Sequence, residues 1–191
     1  MGPTPNQRVA ALLAAHVPAD AKEAGDLQVV ARMLADASDI MSPAHAPGHV
    51  TGSALVVDAS SGRFLLHRHR TLGRWLQVGG HADPGEGDPA ITALREAREE
   101  TGLADLRFLV DAPIDIDVHE IPARADRRAH LHLDFRYALV TGDPRPGVLA
   151  AGESPEFAWL TLADLAPRGI DVSPSLLRLI VKALDAFAAT R

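Results

Sequence analysis

The sequence predicts a layered α/β domain carrying a helical extension at its N-terminus, and three observations support this. Apolar residues between positions 5 and 40 recur at helix-compatible spacing. From His49 onward, short apolar runs bounded by turn residues read as strands. Among those strands lies one well-delimited helix, Pro89 to Thr101, and an amphipathic segment, Ser175 to Ala188, closes the chain.

In the extension, Leu12, Leu13, Val29, Val30, Met33 and Leu34 form the helical stripes, with Pro18-Ala19-Asp20 as a break. Ser42 to Gly48 (SPAHAPG) is a connector, so the expected units are residues 1–47 and 48–191. The stripes must be covered, either by the domain or by a second copy in a homodimer. Gly52 to Ala59 (GSALVVDA), the turn Ser60-Ser61-Gly62 and Arg63 to His67 (RFLLH) form a hairpin. Trp75 to Val78 is a short apolar segment ending at Gly79-Gly80. Leu106 to Val118 holds one or two strands interrupted near Pro113. His130 to Val140 (HLHLDFRYALV) and Glu156 to Leu160 complete the strands, with Trp75 and Trp159 expected in the core.

Composition narrows the function classes. A chain of 191 residues, 47% hydrophobic and 23% charged, is long enough for one domain with a real core. No apolar run reaches the roughly 20 residues of a membrane span, and Met1 to Arg8 shows no export signal, so a cytoplasmic protein is expected. The absence of Cys removes disulfides, thiolate metal sites and cysteine nucleophiles. A net charge of −6 argues against nucleic-acid binding. An acidic protein acting on a phosphate substrate needs local cations, and a bound metal is the obvious source.

The central helix carries the chemistry. Asp88 suits the N-cap, Pro89 the first helical position and Gly102 the left-handed position after the last turn. Glu96, Glu99 and Glu100 are related by i, i+3 and i+4, so they share one sector of the helix. Ala90, Ala93, Leu94, Ala97 and Thr101 lie opposite, with Ile91 beside them, and are expected to face the core. Three neighbouring carboxylates repel one another unless something positive sits among them. Mg²⁺, which combines a few carboxylates with phosphate oxygens, fits that need. A solvated acidic face paired to Arg95 and Arg98 is the alternative, and for a Glu-rich helix alone it is the more common one.

The preceding loop reverses that preference. Gly79 to Leu103, GGHADPGEGDPAITALREAREETGL, resembles the Nudix box: Gly80, five residues, Glu86, then Arg95-Glu96, Ala97, Arg98, Glu99-Glu100, Thr101, Gly102 and Leu103. One spacing departs from that pattern, since eight residues rather than seven separate Glu86 from Arg95. An insertion inside the helix would rotate the carboxylates away by about 100°, so the loop is expected to absorb it. Either Glu86 keeps the loop position, or Asp83 or Asp88 takes over its task.

The resemblance implies a mixed sheet sandwiched between helices. It implies a Mg²⁺ or Mn²⁺ site built from Glu96, Glu99, Glu100 and the carbonyl of Gly80, with Arg95 positioning the carboxylates. The implied activity is water attack at phosphorus in a nucleoside diphosphate linked to another group. Glu99, Glu100, Arg95 and Glu86 are the expected catalytic residues. The general base stays open among Glu99, Glu100, Glu153 and Glu156. A nucleotide-binding sensor on an inactive scaffold is the competing function, disfavoured because all three helical glutamates and Arg95 are present.

The histidines are the remaining polar signal. His130, His132 and Asp134 alternate and should share one face of their strand, with His119 on the preceding segment. They read as hydrogen-bonding residues of a partly buried face, with substrate contact or a further metal site as the functional alternative. His81, beside Gly80, and His132 are the expected substrate-binding members. His67 and His69, with Arg68 and Arg70, read as a solvated strand end and loop.

Overall fold

The computed structural model describes residues 2–70, 72–123, 128–145, 147–150, 152, 154 and 156–191. One mixed sheet of eight strands organises the chain. Its spine is β1 (Gly48–Asp58) lying parallel to β7 (His130–Thr141), paired in register from Gly48↔Leu131 to Asp58↔Thr141. On its other edge β1 pairs antiparallel with β2 (Phe64–Arg68) at one end and β4 (Val78–His81) at the other, and β2 also pairs with β3 (Trp75–Leu76). Beyond β7 lie β5 (Arg107–Phe108) and β6 (Asp115–Ile121), while β8 (Phe157–Leu160) flanks β2. The hairpin, the interruption near Pro113 and the late strand stand as expected. The first strand begins four residues earlier than its apolar core, because pairing with β7 carries it back to Gly48.

Side chains alternate across the two central strands. Val50, Ala54 and Val56 of β1, with Leu133, Phe135 and Tyr137 of β7, face a core that also holds Ala93 and Ala97. Those alanines belong to α3 (Pro89–Thr101), which sits hard against β1: a Cβ on Gly52 would collide with the Pro89 carbonyl oxygen. On the opposite face, Leu55, Leu66 and Ala138 meet Leu176, Leu179, Ile180 and Ala183 of α5 (Pro174–Ala188), which follows the one-turn α4 (Leu162–Leu165). The sheet is therefore sandwiched between helices.

The extension forms α1 (Pro5–Ala15) and α2 (Ala21–Asp36), split as Pro18 and the Asp20 N-cap require. Val9, Leu12, Val30, Ile40 and Met41 are buried in the same core as β1 and α3. The chain itself covers the apolar stripes. A polar seam adds to this attachment. Glu23 of α2, fully buried, accepts hydrogen bonds from Ala19 N and Ile116 N, approaches His16 Nε2 at 2.7 Å, and pairs with Lys182 of α5 at 2.7 and 2.8 Å. Those donors hold its carboxyl at about 2, against the desolvation that would raise it. Among the described residues, no helix is long and apolar enough to cross a membrane.

Candidate functional site

The α3 helix is delimited as its sequence requires. Asp88 accepts from Ala90 N at 3.0 Å as the N-cap, and Gly102 takes φ 68° at the C-terminal end. Asp88 also meets Arg8 of α1 at 2.6 Å, so the cap is tied to the extension. The additional loop residue is accommodated before the helix, and Glu86 stays in the loop. Its carboxylate receives Asp83 N at 3.0 Å, the Thr92 hydroxyl at 2.9 Å and Arg95 Nε at 2.8 Å. These donors keep Glu86 ionised, with its pKa lowered despite burial. Asp83 is an exposed outer neighbour of Arg95, 3.5 Å from Nε.

Arg95 is the hub of this edge. Besides Glu86, its guanidinium donates to Glu96 Oε1 and Glu99 Oε2, each at 3.0 Å, and to the carbonyl of His81 at 2.7 Å. The shared positive charge answers the repulsion among the glutamates. Glu96 lies over Gly80, where a Cβ would stand 2.5 Å from Glu96 Oε1, so only glycine leaves that space open. Glu100 accepts from Gly79 N at 2.8 Å. Glu96 and Glu100 therefore lie along β4, and Arg95 ties Glu99 to Glu96.

One expectation about this helix needs correction. Ile91 is 55% exposed: its position beside the apolar sector turns it toward solvent. Glu100 is buried, with the Gly79 N–H closing over it. A second correction concerns His67. Instead of a solvated strand end it is buried, 3.9 Å from Glu100 Oε1, since β8 covers the outer edge of β2. Burial pushes its pKa down to about 4, so it is neutral at pH 7. Trp75 and Trp159 are half-buried against the core, and the Trp159 indole donates to Pro144 O at 3.0 Å. Of the remaining candidate bases, Glu156 is exposed and paired to Arg68 at 3.3 Å, and Glu153 lies outside the described residues.

Across β4, on the sheet face opposite α3, polar residues replace the core. Asp134 accepts from Thr51 and Ser53 hydroxyls at 3.0 and 2.7 Å, from Arg136 Nε at 2.9 Å and from Gln77 at 3.3 Å. Buried Arg136 also pairs with Asp115 and Asp117. Asp117 is held well below the usual carboxylate range by His119, Arg136 and Lys22 in spite of its burial. Beside this network His81 and His132 meet with Nε2 atoms 3.1 Å apart, and His49 completes a group of three. Burial, reinforced by the surrounding imidazoles of His81, His119, His49 and His130, pushes His132 down to about 2. A cavity of about 830 Å³ opens over this face, lined by His81, His119, His132, Arg74 and Lys22 among others. A second space of about 260 Å³ continues it past His67 and Gln77 to Gly79 and Gly80. His81 and His132, both expected as substrate-binding residues, thus face the cavity that continues toward Gly79 and Gly80.

His49, Thr51, Ser53 and Arg136 were not singled out by sequence. A signal existed: His49, Thr51 and Ser53 alternate with apolar residues, which puts polar groups on one face of an otherwise buried strand.

A model of the NUDIX domain matches residues 48–179. No curated protein matches the chain. Among solved structures, a NUDIX-family hydrolase from Clostridium perfringens is similar at 25% identity and a TM-score of 0.51, over 75% of this chain and 98% of that one. An Ap4A hydrolase from C. elegans, solved as a binary complex, shares 22% identity with a TM-score of 0.53 over 74% and 98%. The NUDIX domain of Shewanella oneidensis NrtR, solved with ADP ribose, shares 21% with a TM-score of 0.51 over 81% and 96%. The last two likenesses concern the fold.

Proposed function

This chain belongs to the NUDIX family, and on that premise we propose that it hydrolyses a diphosphate linkage in a nucleoside diphosphate joined to another group, with Mg²⁺ or Mn²⁺ held by the α3 carboxylates. As a Nudix-type pyrophosphohydrolase it is a hydrolase acting on acid anhydrides. The observation that carries the metal assignment is the placement of Glu96 and Glu100 along the Gly79–Gly80 backbone, with Glu99 joined to Glu96 through Arg95.

The donor set fits a hard divalent cation: carboxylate oxygens with a backbone carbonyl at Gly80, where the absent side chain leaves room. The chemistry such a cation supplies is neutralisation of the diphosphate and acidification of the attacking water. The chain's own residues do the rest. Arg95 holds Glu96 and Glu99 in place, itself anchored by Glu86 and the His81 carbonyl. Gly79 N–H donates to Glu100 and fixes the orientation of its carboxylate. Glu99, the most exposed of the three, has the best access to water and is our first choice as proton acceptor. His81 faces the cavity in which the substrate's phosphates would lie.

Glu99→Gln and Glu100→Gln test the assignment, since each keeps shape but removes a charge. Assayed with Mg²⁺ or Mn²⁺ against a panel of nucleotide diphosphates, both variants should lose at least about a hundredfold in turnover, about 2.7 kcal/mol. Circular dichroism should show the fold intact. Near-normal turnover in both would exclude these carboxylates from the chemistry.

A further inference from the structure

The histidines on the far side of β4 come from separate strands, and the sheet register alone brings them together. His49 of β1 is the direct partner of His132 in β7, and His81 of β4 pairs with Thr51, two residues along the same face of β1. Their ring centroids stand 5.0 Å (His49–His81), 5.1 Å (His49–His132) and 4.8 Å (His81–His132) apart. One ligating nitrogen from each ring lies within 4.8 Å of the other two, and the Nε2 atoms of His81 and His132 are 3.1 Å apart. Two nitrogens bound to one tetrahedral zinc, with bonds of about 2.0–2.1 Å, stand about 3.3 Å apart.

We propose that His49, His81 and His132 form a three-imidazole site for a borderline divalent metal ion, zinc foremost, separate from the carboxylate site of α3. Nitrogen ligands select such ions, whereas Mg²⁺ takes oxygen. Three protein ligands with an open fourth position is the arrangement of zinc sites that receive water or a substrate oxygen. Here the opening faces the cavity: His81 and His132 line it, while His49 is buried beneath them. His119, its ring 5.5 Å from that of His132 and its Nδ1 3.1 Å from Asp117, stands at the rim of the same opening.

The full chain, stripped with a chelator, should bind one equivalent of Co²⁺ with the strong visible absorption of a low-coordinate nitrogen site. Zn²⁺ should bleach that absorption, and excess Mg²⁺ should not. His81→Gln and His132→Gln should weaken binding more than about a hundredfold, beyond the 10–100-fold typical of outer-shell partners. Glu99→Gln should leave it unchanged. His81 is only half-buried, so its variant carries the test even if a change at buried His49 prevents folding. Absence of the absorption in the wild-type chain would overturn the site. So would its persistence in His81→Gln, or its loss in Glu99→Gln, which would make it part of the carboxylate site.

Discussion

The glutamates of α3 and the imidazoles around His132 lie on either side of β4, and they solve opposite electrostatic problems. On the α3 side, like charges gather beside a half-buried arginine that neutralises several of them at once. Arg95 is made still harder to deprotonate by Glu86 and Glu96, and Glu86 in return stays ionised. On the β7 side, burial among other imidazoles keeps His132 neutral, and the charges near it are locked into a buried lattice of Asp115, Asp117, Asp134 and Arg136. The contrast teaches how one domain can place hard oxygen donors and nitrogen donors a strand apart: the first gather around a guanidinium, and the second are buried together.

Acid should strain the buried side most. Asp117, a member of that lattice, and Glu23, which shares Lys182 with Asp115, have carboxyl groups depressed below their ordinary values. For a depressed carboxyl the stabilisation is complete above the unfolded value, 4.5 for Glu23, and is lost as pH falls toward the folded value of about 2. That shift corresponds to about 3 kcal/mol for Glu23. Urea unfolding of the wild-type chain at pH 6 and pH 3 should show the loss, and Glu23→Gln should remove part of the pH dependence. An identical dependence in the variant would assign the acid sensitivity elsewhere.

The α3 side should respond to hard metal instead. If Mg²⁺ binds the glutamates in the free protein, a concentration ten times its Kd adds about 1.4 kcal/mol of stability. Thermal melts should show that gain in the wild-type chain and in His81→Gln, but not in Glu99→Gln. A gain that disappears in His81→Gln would erase the distinction between the two sides.

The smallest effect separates two acidic residues of one loop. Asp88→Ala removes the α3 cap and the partner of Arg8, costing about 1 kcal/mol in unfolding free energy while turnover stays near normal. Glu86→Gln should do the reverse, lowering turnover through Arg95 with a smaller change in stability. If Asp88→Ala abolishes turnover and leaves the melting temperature untouched, Asp88 belongs with the glutamates and Glu86 does not.

The α3 site was legible because its residues are neighbours in the chain. Helical geometry fixes the relation of positions three and four apart, so Glu96, Glu99 and Glu100 could be placed together before any fold was known. The cap at Asp88 follows from the same short range, whereas the parts given to Gly80 and Glu86 come from the likeness to the Nudix box. Ile91 departs from the expected burial because exposure at the margin of a helical sector depends on how far the neighbouring elements reach, and no spacing rule contains that.

By itself, then, the sequence determined the order of the elements, the layered α/β class, the helix with its glutamates and the N-terminal helices. These rest on local propensity and on periods of 3.6 and 2 residues. Only the tertiary structure decided that α1 and α2 are covered by the chain's own core, that Glu23 ties α2 to β6 and α5, and that His67 is buried. It alone brought His49 alongside His132, 83 residues away, through the parallel register of β1 and β7. Period two tells which residues share a face of one strand. Which strand lies beside it, and in what register, is set by the packing of the whole sheet between its helices.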